Sequence, residues 1–238
     1  MKRLSIVAWA VTATVAPLAS ASAAPLCSVP QRLAAPAEEG ASEREPRRVL
    51  PIGGYTLSII WLAENCRKGG SSGAGSLDCR AGAGKSGFVL HGLWPDGIGR
   101  DWPQWCAPAR PLPAATLRAH YCATPSAQLA QHEWAKHGTC MPGYDPDRYF
   151  ADARRLFDGL NLPNLRALSY GATSRGSIQR AVAAANPGMT PDMVRLNVNR
   201  KGWLEELWIC LDTRLRQTSC KAPGGQPNER VRIWRGRA

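Results

Sequence analysis

The sequence predicts an α+β fold: a central antiparallel β-sheet flanked by α-helices, in a single domain stabilised by disulfides. Three observations carry this. Residues 194–198 alternate apolar and polar side chains, the apolar-rich 203–211 follows, and the two read as an antiparallel hairpin around 199–202. Helical patterns group between residues 114 and 185 instead of alternating with strands. All eight cysteines follow an export-like N-terminus, and an even count in that setting reads as a disulfide framework.

The elements follow in order. Lys2 and Arg3 open a mostly apolar stretch that ends in Ala21-Ser22-Ala23. Residues 1–23 therefore read as a secretory signal peptide, with cleavage expected near Ala23 or Ala24. The stretch before Cys27 is a poor lipoprotein signal, so the expected product is soluble, secreted or periplasmic, with no membrane partner and monomeric. Residues 24–50 are rich in Ala, Pro, Glu and Arg with no apolar period, and read as a flexible leader. The remainder, 51–238, suffices for one domain.

Residues 55–62 (YTLSIIWL) are rich in aromatic and β-branched residues and predict a strand. Residues 67–85 form a Gly/Ser-rich loop. Phe88-Val89-Leu90 predicts a short strand delivering His91, with Pro95 and Gly97 expected to turn the chain. Residues 114–121 and 126–137 predict helices. A third begins at Asp145-Pro146, with proline in the first turn. A fourth covers 177–185, and 231–234 is a candidate last strand.

Charge narrows the partners. The chain carries a formal +12, and +10 once Lys2 and Arg3 leave with the signal. A polyanion follows from that, nucleic acid being the commonest. No stretch after the signal is apolar for long enough to span a bilayer.

Of the four histidines, three lie in two compact segments, His91-Gly92-Leu93-Trp94-Pro95-Asp96-Gly97 and His132-Glu133-Trp134-Ala135-Lys136-His137; His120 is the outlier. On a helix His132 lies over Lys136 and Glu133 over His137, which predicts one polar stripe able to bind an anion and move a proton on it. Zinc is disfavoured, and no metal or other cofactor is expected. The spacing is HExxxH, not HExxH, and Lys136 would sit where a cation is unwelcome.

FVLHGLWPDG and HEWAKHGTC resemble the two active-site signatures of the ribonuclease T2 family, the transferase-type acid endoribonucleases. The clear similarity covers roughly residues 55–157. Leu62 stands where the family usually has a proline after the opening-strand tryptophan, a departure that touches the scaffold. The resemblance implies that 51–238 is a ribonuclease domain acting on single-stranded RNA without metal, through a 2′,3′-cyclic phosphate. RNA carries its own nucleophile, the 2′-hydroxyl, and two imidazoles suffice to move its proton and that of the leaving oxygen. It implies His137 as general base and His91 as general acid, with Lys136 and Glu133 stabilising the transition state. His132 would hold the phosphate. Trp94 would stack on the base 5′ to the cut, and Asp96 would accept from its exocyclic amino group. An optimum on the acid side of neutral is expected. The resemblance also pairs Cys106 with Cys140, Cys66 with Cys79 and Cys210 with Cys220. It leaves Cys27 and Cys122, and connectivity cannot be deduced from sequence.

Three other readings compete. A catalytically weak RNA-binding or toxin-like member of the same fold would lack cyclic-phosphate production. An extracellular module such as an inhibitor would explain cysteines and charge but not the clustered histidines. A zinc hydrolase would contain stoichiometric metal.

Overall fold

The computed structural model describes residues 27–67, 77, 79, 87–222 and 224–236. The expected signal peptide lies outside them. Four strands form one antiparallel sheet in the order β2-β1-β4-β3: β1 (Ile52–Trp61), β2 (Phe88–Gly97), β3 (Val194–Val198) and β4 (Leu204–Leu211). The helices among the described residues are α1 (Leu62–Arg67), α2 (Ala114–His120), α3 (Ala127–Lys136), α4 (Pro146–Gly159), α5 (Leu165–Leu168) and α6 (Arg175–Ala185).

Strand register explains the two faces of the sheet. Leu57, Leu93 and Ile209 pair across three strands, and with Ile59, Leu90 and Leu207 they form the apolar face. That face belongs to the main core with Tyr149, Phe150 and Phe157 of α4 and Ile178 and Val182 of α6. One residue further along, Ser58 pairs with Gly92 and Trp208, and Thr56 with Trp94, so the polar side chains fall on the opposite face, where Ile60 and Val89 also form a small second apolar cluster with Leu129. Period-two alternation produces this separation.

Local sequence sets the helix ends. Ser126 caps α3 by accepting from the Leu129 amide, and Asp145 caps α4 from before Pro146. Helix α6 starts at Arg175, two residues earlier than expected. Ser174 and Ser177 form a capping box there, and Ser177 serves it from inside the first turn.

Three expectations are corrected. The chain does not turn at Pro95; β2 continues to Gly97. The strand lies at a sheet edge, where the missing proline N–H costs no ladder bond. Residues 231–234 form no strand of the sheet. They are held by a single parallel bridge, Trp203 to Arg232, and by the Trp61 indole donating to the Trp234 carbonyl. Residues 27–50 are not loose. Arg48 and Gln104 exchange both backbone hydrogen bonds, the Arg118 guanidinium binds the Pro30 carbonyl, and Pro36 is buried.

Disulfides join Cys27–Cys122, Cys66–Cys79, Cys106–Cys140 and Cys210–Cys220, with no free cysteine among the described residues. The third ties the loop after β2 to the end of α3.

Candidate active site

The site begins with an irregularity in β2. Ser58 pairs with Gly92 while the next residue of β1, Ile59, pairs with Leu90. His91 is therefore the extra residue of a β-bulge. Regular pairing would have sent its ring to the apolar face, and the bulge re-aims it across the polar one.

Helix α3 then brings a carboxylate over the bulge. Glu133 is almost fully buried and lies 3.3 Å from His91 Nε2 through Oε1. Its Oε2 accepts from the Trp94 indole at 2.6 Å. Only glycine at position 92 leaves room for this, because a Cβ there would overlap Glu133 Oε2. His137, at the end of α3, stacks on Trp94 with ring centroids 5.4 Å apart, and His91 meets Trp94 edge-on at 5.0 Å. Trp94 therefore touches both imidazoles and the carboxylate.

A residue that the sequence motifs do not contain completes the group. Glu206 on β4 is 2.7 Å from His91 Nδ1, across the width of β1, with Ser58 Oγ at 3.5 Å from the same nitrogen. The remaining Glu206 oxygen accepts from Trp208 Nε1 at 2.6 Å and Asn197 Nδ2 at 3.2 Å. Its signal in sequence is weak: a glutamate amid an apolar strand, 115 residues from its partner.

The electrostatics of the two histidines diverge. Both His91 nitrogens face carboxylates, and only an imidazolium has two N–H donors to offer. Burial works against that charge, but Glu133 and Glu206 outweigh it and raise the His91 pKa from 6.5 to about 10. Burial likewise disfavours the Glu133 carboxylate, yet His91 above all holds its pKa down at about 2. For His137 burial dominates. Lys136, His132 and His91 add repulsion that Glu133 does not offset, and its pKa falls to about 3. No hydrogen-bond partner anchors a proton on its buried Nδ1.

The four side chains of the α3 motif do not form one stripe. Successive helical residues differ by about 100°. Glu133 and His137 turn inward to Trp94, whereas His132 and Lys136 flank Trp105, with ring centroids of His132 and Trp105 5.4 Å apart and Lys136 Nζ 5.8 Å from the indole. Trp105 adopts a left-handed backbone conformation (φ 54°) and donates its amide to the Lys136 carbonyl, closing the end of α3.

Asp96 stands apart from the imidazoles. It accepts from Thr56 Oγ1 at 2.8 Å and lines a cleft of about 710 Å³ with Tyr55, Trp102, Arg195 and Lys221. Burial raises its pKa against the pull of Thr56, Lys221 and Arg195. Trp94, expected to stack on the base, has His137 against one face. No cluster of metal-ligating residues occurs among the described residues.

Residues 53–220 match the sequence profile of the Ribonuclease T2 family. The chain belongs to the ribonuclease T2 family. Among its relatives is a probable ribonuclease of Haemophilus influenzae, 30% identical over 183 residues, a match that spans 72% of this chain and 62% of that protein's length. A ribonuclease of Aeromonas hydrophila is 29% identical over 66% of this chain and 71% of its own. Human ribonuclease T2 is 27% identical over 62% of this chain and 65% of its own. The fold is similar to that of trichomaglin, described as a novel S-like ribonuclease (TM-score 0.61, 19% identity, 76% of this chain and 97% of that one). It is also similar to RNase NT in complex with 5′-AMP (TM-score 0.57, 20% identity, 77% and 98%).

Proposed function

We propose that this protein is an exported endoribonuclease that cleaves single-stranded RNA by metal-independent transphosphorylation. The observation that carries the reading is the opposite charge state of two imidazoles on one tryptophan. His91 is held protonated between Glu133 and Glu206, and His137 is held neutral by burial.

His137 takes the 2′ proton, the 2′ oxygen attacks phosphorus, and His91 Nε2 gives its proton to the departing 5′ oxygen. The products are a 2′,3′-cyclic phosphate and a 5′-hydroxyl end. Each such proton transfer is typically worth about 10²–10⁴-fold. The roles exchange if water opens the cyclic product. Lys136 and Glu133 stabilise the phosphorane-like transition state, Lys136 through its charge and Glu133 by holding the His91 proton and the Trp94 indole. His132 binds phosphate. Trp94 spaces the two imidazoles, and the base stacks toward the cleft where Asp96 accepts from an exocyclic amino group. Four disulfides support export to an oxidising compartment.

The test is digestion of homopolymer RNAs and DNA in EDTA, followed by end-group analysis. Wild-type protein should leave cyclic phosphate on RNA and spare DNA. His91→Ala and His137→Ala should each remove cleavage. Activity lost in EDTA and restored by zinc would refute the mechanism.

A further inference from the structure

The segment before β1 crosses the outer face of α3 and closes two salt bridges there. Glu39 Oε2 lies 2.6 Å from His132 Nδ1, and Glu45 Oε1 lies 2.6 Å from Lys136 Nζ. Gln128, one turn before His132 on the same helical face, binds the Ala37 amide through Oε1 at 2.8 Å and also reaches the Glu39 carboxylate. Gln128, His132 and Lys136 stand at successive four-residue intervals, so the segment follows one ridge of the helix. The Lys136 hydrogen bond holds the Glu45 carboxyl below its ordinary range.

The fastening points flank this contact. Cys27–Cys122 anchors the segment upstream, and the paired backbones of Arg48 and Gln104 anchor it downstream. The stretch between is a strap held at both ends. Glu45 keeps 45% of its side chain in solvent. A pair that open to water is worth little, typically about 0–1 kcal/mol, so a stronger anion can displace it.

We propose that residues 38–48 are an autoinhibitory strap whose Glu39 and Glu45 carboxylates occupy the phosphate-binding positions of His132 and Lys136, and that RNA competes them away. This rests on the assignment of those two side chains to the RNA phosphates. The strap sets a threshold. An isolated anion gains little from two side chains already paired with carboxylates, whereas a polyanion brings several charges at once and exchanges with both.

The experiment measures binding of a fluorescent single-stranded DNA oligonucleotide, which lacks the 2′-hydroxyl and so reports affinity without turnover. Three proteins are compared: wild type, the double variant Glu39→Gln/Glu45→Gln, and the control Glu38→Gln/Glu43→Gln. The control removes the same charge from exposed positions of the same segment that make neither bridge. Glu39→Gln/Glu45→Gln should bind about 2- to 30-fold tighter, taking each pair at about 0.2–1 kcal/mol. Its plot of log K against log salt should steepen by about 1.4, or about 0.7 for each phosphate newly engaged on a single strand. The single variants Glu39→Gln and Glu45→Gln should each give part of the gain. Unchanged or weaker binding, or an equal gain in the control, would overturn the strap. Loss of RNA cleavage by the wild type would refute the catalytic reading alone, because the binding comparison needs no turnover.

Discussion

Replacing Glu206 by glutamine tests the least expected member of the site. The substitution keeps the volume and removes the charge 2.7 Å from His91 Nδ1. It also forces a conflict, because Trp208 and Asn197 both donate to the other Glu206 oxygen. An amide placed with its oxygen toward His91 would turn its NH₂ on those two donors. Flipped, it would offer NH₂ to Nδ1 and favour the neutral imidazole. A hydrogen bond to a charged group is worth about 1.5–3 kcal/mol. Both side chains are largely buried, at 22% and 12% exposure, so little of that is screened. At about 1.4 kcal/mol per pH unit, the His91 titration should move about 1–2 units toward neutral from its raised position near 10. The alkaline limb of kcat/KM on a dinucleoside phosphate should shift with it, while the rate between pH 5 and 7 changes far less. Titration of the His91 ring by NMR reads the same shift without turnover. An unmoved alkaline limb together with an unmoved His91 titration would refute the positioning role of Glu206.

Two further outcomes follow from the same geometry. Gly92→Ala drives a methyl group into Glu133 Oε2 and to 2.9 Å from Trp94 Nε1, so the carboxylate must leave its seat. Misplacement by about 1 Å should lower kcat/KM by about 100-fold, and a near-wild-type rate would show that Glu133 has no fixed position to keep. Stability, followed as the urea midpoint, should peak near pH 6.5. His137 has its pKa depressed to about 3 in the fold, so unfolding takes up a proton and stability is lost as pH falls from 6.5. Glu133 adds to that loss as pH falls from 4.5 through about 2. His91 is raised to about 10, so its contribution is complete below 6.5 and lost as pH rises toward 10. A midpoint flat from pH 4 to 9 would contradict these charge states.

The sequence motifs mark both imidazoles, Glu133 and Lys136, because each lies in a short segment whose residue types are costly to place by chance. Helix α3 is legible for the same reason, with Ser126 as its cap. What is not legible comes from pairing across the chain. The His91 bulge depends on how β2 aligns with β1, and period-two alternation in β2 alone does not reveal it. Glu206 joins the site only because β4 is the strand beyond β1. The 27–50 segment reads as loose since it has no apolar period. Its order comes from a disulfide, backbone bonds and charge pairs, none of which leaves a periodic trace. The contact of Trp94 with His137 is not legible either, because it depends on where the end of α3 meets β2.

Ser58 has a consequence for how relatives are sorted. Glu206 and His91 sit on strands separated by β1, a gap of about 10 Å at ordinary strand spacing. They meet only because a small, fully buried serine lies between them. Positions 58 and 206 should therefore change together: a bulky residue at 58 would make a carboxylate at 206 useless to the histidine. A protein can keep both histidine motifs intact and still have lost the support of its acid. Judging whether such a relative is an enzyme or a remnant requires looking at the pair of residues on β1 and β4, where no motif search points.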